Sequence, residues 1–113
     1  MKSVIVALLA TVAMAAPAAE LEVARQVTTK TVPACACINA AGDTTTGACI
    51  YGNGAIAVLD GKQYCYPHTA RLEERTPSLY TPSECANGYP LFPLSSCKTV
   101  TVCVEADGWY RLC

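Results

Sequence analysis

Eight cysteines constrain this 113-residue chain more than any other feature, and all of them lie after residue 34. An even number of cysteines in a short chain is typical of a disulfide framework, which compensates for a core too small to stabilise the fold alone. The chain has one Phe and one Trp, so large apolar side chains are scarce. We therefore expect four disulfides, each worth about 2–5 kcal/mol. The cysteines are Cys35, Cys37, Cys49, Cys65, Cys85, Cys97, Cys103 and Cys113.

The spacing of the first two cysteines argues for disulfides rather than a metal site. Cys35 and Cys37 are separated by one residue, whereas paired zinc ligands are usually about two to four residues apart. The chain also has a single histidine, His68, so we expect no metal and no cofactor. A one-residue loop strains disulfide geometry, so we expect Cys35 and Cys37 to bond to different partners. Roughly a hundred pairings of eight cysteines remain open.

The N-terminus has the three parts of an export signal. Lys2 supplies the positive charge, residues 4–13 form an apolar run, and Ala13-Met14-Ala15 matches the small-x-small cleavage pattern. We expect a signal peptide over residues 1–15, hence a secreted, extracellular protein. The apolar run is too short to span a bilayer, so membrane insertion is not expected.

The segment that follows the signal peptide contains a candidate second cleavage site. Residues 16–25 read as a candidate pro-segment that ends at Arg25, and the alternative is an uncut tail. In either case residues 26–113 form one disulfide-stapled domain, since the chain is too short for two.

Two stretches alternate like strands joined by hairpin turns. In residues 99–105 three valines alternate with polar residues, Asp107-Gly108 turns the chain, and residues 109–113 return. The second hairpin runs over residues 55–66 around Asp60-Gly61. Residues 26–32 and 48–51 are weaker strand candidates.

Helix signals are few. Residues 69–75 allow one or two turns, which Pro77 should end, and the five prolines of residues 67–96 indicate a long loop region. The sequence thus predicts a small, disulfide-rich, mainly β fold, with hairpins forming a compact sheet or small barrel and at most one short helix.

The two hairpins share a spacing. The intervals Cys49 to Cys65 and Cys97 to Cys113 are both sixteen residues, and each contains an Asp-Gly. Either a worn internal duplication or chance would give this pattern, because Asp-Gly is common in turns.

Catalytic and electrostatic signals are weak. A Ser-His or Cys-His nucleophile would have to use His68, which has no nucleophile motif nearby. Glu73 and Glu74 are adjacent, whereas a glycosidase needs two carboxylates across a cleft. The net charge is −1 and the charges are scattered, which disfavours nucleic-acid binding and lysis of anionic membranes. We expect a protein that is not an enzyme.

Aromatic side chains are the candidate binding residues. Trp109 and Tyr110 follow a hairpin turn, a position suited to stacking on sugars or to a protein hot spot. Alternation sends them to opposite faces, so at least one should be core. The Pro-rich loop carries Tyr80, Tyr89 and Phe92, either as contacts or as cover for a sparse core.

The layout of export signal, pro-segment and eight cysteines resembles the small secreted cysteine-rich proteins of filamentous fungi, many of which are effectors acting on a host. That resemblance implies a binding protein whose partner is a host protein. The segment Cys85-x11-Cys97-x5-Cys103-x9-Cys113 also resembles the opening of the invertebrate-type chitin-binding module, but the later cysteines of that module are missing. Cell-wall polysaccharide is therefore the alternative partner, and an antimicrobial or killer-type toxin is a third hypothesis that the near-neutral charge disfavours.

Overall fold

One antiparallel sheet organises the protein in the computed structural model, which describes residues 28–113. The expected signal peptide and pro-segment lie outside the described residues, as do the first two residues of the strand predicted over residues 26–32. The sheet order is β3-β4-β1-β5-β6, with β2 beside β1. Its strands are β1 (Thr28–Ile38), β2 (Thr44–Thr45), β3 (Ala55–Leu59), β4 (Lys62–Tyr66), β5 (Leu94–Val104) and β6 (Tyr110–Leu112). The predicted mainly β, disulfide-rich fold is confirmed.

The sheet curls until its edges nearly meet. The Tyr110 N–H on β6 donates to the carbonyl of His68, which lies just beyond β4, at 2.9 Å. The hydroxyl of Tyr66 on β4 shares a hydrogen bond with the backbone of Leu112 on β6. These bonds join strands that are three places apart in the sheet order, so the sheet is nearly closed.

The inner face of the curled sheet is the apolar core. The predicted alternation of β5 holds, since Val100 and Val102 are buried while Thr99 and Thr101 are exposed. Most inward positions on β1 and β3 are small, which lets the sheet curl tightly around a few large rings. The buried core residues are Val32, Ala34, Ala36, Ala57, Tyr64, Tyr66, Val100, Val102 and Tyr110.

The outer face carries a second core built on cystines. Cys35 bonds Cys97, its direct register partner on β5, while Cys37 bonds Cys85, so the prediction of different partners is confirmed. Cys49 bonds Cys65, and Cys103 bonds Cys113. Eight cysteines therefore make the predicted four disulfides.

Pro33 sits inside the central strand without disrupting it. The Cα atoms of Cys35 and Cys97 are 4.1 Å apart, a close approach typical of a non-hydrogen-bonded antiparallel pair. Pro33 and Thr99 lie two residues along the same ladder, so their pair is of the same type. The Pro33 nitrogen therefore faces β4, which pairs with β1 at Cys35 only. The missing N–H costs no ladder bond.

The helical residues form one short, bent segment over the cystine face, with α1 at Arg75–Ser78 and α2 at Pro82–Gly88. α2 begins with Thr81, whose hydroxyl accepts the Glu84 N–H, and with Pro82 in the first turn. Helix α2 interrupts the long loop region predicted over residues 67–96, because Thr81-x-x-Glu84 is a helix-start signal that outweighs the nearby prolines.

Two local predictions fail for backbone reasons. Residues 69–75 were expected to form one or two turns that Pro77 ends; they form one 3-10 turn, Ala70–Leu72, but Pro77 lies inside α1 instead of ending a helix. A proline is tolerated in a first helical turn, where its N–H would have no partner. The strand predicted over residues 48–51 is instead a 3-10 helix, Gly47–Ile50, in which the Cys49 N–H donates to Thr46.

Candidate binding surface around Trp109

The β5–β6 hairpin holds the Trp109 backbone on both sides. The Glu105 N–H donates to the Trp109 carbonyl at 2.8 Å, and the Gly108 N–H donates to the Glu105 carbonyl at 2.9 Å. The Trp109 N–H donates to the Asp107 carboxylate at 3.0 Å. Gly108 has φ +91° and ends a three-residue turn, which is one residue longer than the turn between β3 and β4. Because each flanking amide is bonded, the turn fixes the backbone of Trp109.

The indole ring stacks on the imidazole ring of His68. Their centroids are 4.4 Å apart and the planes are tilted by 35°. The adjacent bond from the Tyr110 N–H to the His68 carbonyl holds the two chain segments together. Trp109 nevertheless keeps 44% of its surface exposed, so part of the ring remains available to a partner.

His68 is positioned as a neutral packing surface for Trp109. Its Nδ1 is buried and has no hydrogen-bond partner among residues 28–113. Burial lowers the pKa of His68 below its ordinary value, because the charged form loses hydration. An imidazole that is neutral at pH 7 stacks on the indole through dispersion rather than charge.

Beneath the hairpin, Tyr110 anchors a polar cluster with Glu73 and Lys30. Tyr110 is 5% exposed, and its hydroxyl donates to the Glu73 carboxylate. Lys30 donates to the same carboxylate at 2.5 Å and to the Tyr110 oxygen at 3.3 Å. The Lys30 ammonium also lies 5.5 Å from the centroid of the Tyr110 ring. The prediction that one of Trp109 and Tyr110 is core is confirmed, and Tyr110 is the core residue.

Each group in this cluster shifts the pKa of its neighbours. Hydrogen bonds from Lys30 and then Tyr110 lower the pKa of Glu73. The bonds to Glu73 and to Tyr110 raise the pKa of Lys30, and the bond to Glu73 raises the pKa of Tyr110. All three shifts favour the ion pair with a neutral phenol at pH 7. The cluster thereby ties β1, β6 and the segment after the 3-10 turn together beneath Trp109.

Tyr80 belongs to the cystine core and contributes no surface around Trp109. It is 1% exposed, its hydroxyl donates to the Thr46 carbonyl, and burial raises its pKa. The cystine core that it fills consists of Cys35, Cys37, Cys49, Cys65, Tyr80 and Cys85. For Tyr80, covering a sparse core is the role that its position fits.

Tyr89 and Phe92 are half-buried and pack against this cystine core. The Tyr89 ring lies over Gly47, where an added Cβ would fall 1.6 Å from the hydroxyl oxygen. These two residues precede β5 and Trp109 follows it. A strand of this length spans roughly 30 Å, so the loop aromatics and Trp109 lie at opposite ends of β5. The predicted aromatics do not form one surface.

Several exposed apolar residues were not predicted as contacts. Tyr51 is 77% exposed, and Ile50 and Leu91 are also largely exposed. The nearby Gly52-Asn53-Gly54 indicates a turn, but the sequence does not show which neighbouring side chains face solvent. The roles of His68 and Glu73 beside the hairpin were also missed, because neither lies near Trp109 in sequence.

Residues 28–113 contain no group of three or more His, Cys, Asp or Glu side chains arranged to hold a metal ion. Within the same residues no helix has the length and apolar character needed to cross a membrane. Comparisons with protein-family models, curated proteins and solved structures found no match. Four disulfides in so small a domain are typical of extracellular or secretory-type proteins.

Proposed function

We propose that this chain is a secreted, non-enzymatic effector that binds a host protein, and that Trp109 is the central contact. The observation that carries the proposal is an indole almost half exposed on a hairpin whose backbone and ring are both fixed. Tryptophan is among the residues most enriched at binding hot spots. A side chain that is already ordered loses little conformational entropy on binding, so more of its contact energy appears as affinity.

The surroundings of Trp109 support a protein partner. The half-buried His68 supports one side of the ring, while Asp107, Glu105 and Arg111 surround the hairpin with charges of both signs. An apolar anchor surrounded by polar groups is the usual anatomy of a protein interface. The Cys103–Cys113 disulfide closes the base of the hairpin, so a partner meets a preformed surface.

A cell-wall polysaccharide, chitin-like in its chemistry, is the second candidate partner. The supporting observation is that His68 stacks on the indole from one side, which leaves the remaining ring surface for a sugar. Aromatic rings stack on the apolar faces of sugars, and flanking polar groups bond the hydroxyls. A single ring supplies fewer stacking contacts than a row of rings, so this candidate ranks second.

The test is capture from host extracellular fluid followed by affinity measurement on the purified partner. Trp109→Ala should weaken binding by at least about tenfold, the effect of a hot-spot truncation. Tyr51→Ala is the matched control, because it removes an exposed aromatic ring outside the hairpin. Equal binding by wild type and Trp109→Ala, with both folded, would refute the role of Trp109.

Co-sedimentation with chitin, β-glucan, cellulose and xylan separates the second candidate from the first. Retention of wild type on one glycan, lost in Trp109→Ala but kept in Tyr51→Ala, would replace the host protein with a polysaccharide. No retention on any of the four would leave the host protein as the partner to pursue.

A further inference from the structure

The outer edge of β3 is the least protected backbone edge among the described residues. β3 pairs only with β4, and the two-residue Asp60-Gly61 turn joins them. In a hairpin of this kind the residues that flank the turn form a hydrogen-bonded pair, and such pairs recur at every second position. Ala55, Ala57 and Leu59 therefore bond β4.

Ile56 and Val58 consequently point their N–H and C=O groups away from β4, toward the free edge. Ile56 lies half-buried against the cystine core, so its side chain holds this part of the edge in place. The side chain of Val58 is 62% exposed. The free edge thus offers two residues of ordered backbone donors and acceptors beside an exposed apolar side chain.

The opposite edge strand, β6, is protected in three ways that β3 lacks. It is only three residues long, its Tyr110 N–H already bonds His68, and Arg111 pairs with Glu105 at 3.8 Å. Soluble proteins protect sheet edges with charges, prolines, bulges or short strands, because bare edges recruit other strands. β3 has the sequence Ala-Ile-Ala-Val-Leu and contains none of these features.

We propose that β3 pairs antiparallel with β3 of a second copy of this chain, about a two-fold axis at Ala57. In this register Ile56 faces Val58 of the second copy twice, and both pairs are of the hydrogen-bonded type. Ala57 faces Ala57 of the second copy, and Ala55 faces Leu59 of the second copy. Every cross-strand pair is apolar, so the strand is complementary to itself.

The same register also matches charges at both ends of the interface. It places Asp60 of one copy opposite Gly54 of the other, next to Asn53. Arg75 donates to the Asn53 side chain at 3.0 Å and has no ion-pair partner in residues 28–113. The Asp60 side chain is largely exposed and only loosely paired, with Lys98 at 3.4 Å. Two Asp60–Arg75 pairs related by the two-fold axis favour a second copy over an unrelated strand.

The experiment is sedimentation equilibrium of the oxidised secreted protein, from about 1 µM to about 1 mM, a range that covers weak dimers. The wild type should form a monomer–dimer equilibrium. Val58→Lys places a charge on the edge, and Val58→Pro removes an edge N–H without breaking a β3–β4 bond. Each should weaken the dimer by at least about tenfold.

Leu91→Lys is the matched control, because it puts the same charge at a residue 81% exposed and outside the sheet. It should dimerise like wild type. Circular dichroism checks that each variant is folded, and Val58→Lys carries the test if Val58→Pro does not fold. A wild type that stays monomeric, or a dimer that survives Val58→Lys, would overturn the proposal.

A charge exchange tests the register itself. Asp60→Arg and Arg75→Asp should each weaken the dimer, and the double variant should restore it. Weakening without restoration would refute the two-fold register. A chain or fibre instead of a dimer would refute it too, because a two-fold interface closes on itself.

Discussion

The two Asp-Gly hairpins use the same dipeptide to make different turns. In the β3–β4 hairpin Asp60 and Gly61 both have positive φ, +53° and +77°, as a two-residue type I′ turn requires. In the β5–β6 hairpin only Gly108 has positive φ, and the Asp107 side chain bonds the Trp109 N–H instead. The dipeptide predicts a reversal of the chain, while the neighbouring residues decide its length.

The difference extends to the disulfides. The two equal cysteine intervals do not pair equally, since Cys49 bonds Cys65 whereas Cys97 and Cys113 bond Cys35 and Cys103. The β3–β4 hairpin is stapled to the 3-10 helix that covers it. The β5–β6 hairpin is closed by its own Cys103–Cys113 disulfide, and its turn leaves Trp109 44% exposed. Both hairpins contribute side chains to the apolar core, and the β5–β6 hairpin also presents Trp109 to solvent.

Removing the disulfides should give the largest difference between the hairpins. Cys49→Ala with Cys65→Ala should lower the free energy of unfolding by about 4 kcal/mol. The double variant removes a constraint on the unfolded chain and leaves a void in the cystine core. Cys103→Ala with Cys113→Ala should cost about 2–3 kcal/mol, since Cys113 is exposed. Urea denaturation of the two double variants measures both values. Equal losses of unfolding free energy would mean that the burial of Cys49 and Cys65 adds nothing to the effect of their disulfide.

Alanine in place of glycine should separate the hairpins next. A Cβ at Gly54 would lie 2.6 Å from the Cys65 sulfur and 2.6 Å from the Tyr66 carbonyl oxygen. Gly54→Ala should therefore cost about 3 kcal/mol through overpacking. At Gly108 nothing lies within 4 Å of such a Cβ, so Gly108→Ala should cost only about 1 kcal/mol, from its positive φ. Thermal unfolding followed by circular dichroism compares them, and a larger loss at Gly108 would contradict this account.

Glycine in place of aspartate should distinguish a backbone role from a side-chain role. Asp60→Gly should change stability by less than about 0.5 kcal/mol, because glycine adopts positive φ freely. Asp107→Gly should cost about 1 kcal/mol, because the Trp109 N–H loses its acceptor. Asp107→Asn keeps an acceptor oxygen and serves as the control. Equal effects of Asp60→Gly and Asp107→Gly would erase the distinction.

The smallest effect should be a pH dependence that comes from His68, whose ring packs on Trp109 of the β5–β6 hairpin. Burial puts the folded pKa of His68 below its unfolded value, so the unfolded chain binds more protons between the two. The free energy of unfolding should therefore be highest above about pH 6.5 and should fall as the pH drops toward the folded pKa.

The fluorescence of Trp109, the only tryptophan, reports this change directly. The unfolding midpoint in urea should decrease between about pH 7.5 and pH 5.5. His68→Phe should abolish the decrease, because the phenyl ring keeps the stack without titrating. A decrease of the same size in His68→Phe would assign the effect to another group.

The features of the fold that could be predicted from the sequence are those determined by interactions between residues close together in the chain. The β3–β4 hairpin has the predicted bounds, since alternation and a two-residue turn fix its register. Helix α2 was missed because its capping signal stands among prolines and lacks apolar periodicity. The strand predicted over residues 48–51 fails because Cys49 is tied to a 3-10 turn by Cys65, sixteen residues away.

The site was only partly predictable. Trp109 is recognisable as a residue that follows a hairpin turn. Its support by His68 and the anchoring of Tyr110 by Glu73 and Lys30 depend on contacts between residues 37 to 80 positions apart. Such pairings arise from sheet closure, which no short pattern encodes. The same limit explains why Tyr80 could be named but not assigned to the interior.

The Cys35–Cys97 disulfide limits how far the β1–β5 ladder can be pulled apart. If Thr28 and Val104 were pulled apart, the β1–β5 pairs would open one after another, as in a zipper, until the load reached the covalent link at Cys35. The pairs from Ala36 to Ile38 would then be shielded from the force. An oxidised molecule stretched in this way would extend by a fixed length and then resist further opening. In the reduced molecule all of the β1–β5 pairs would open.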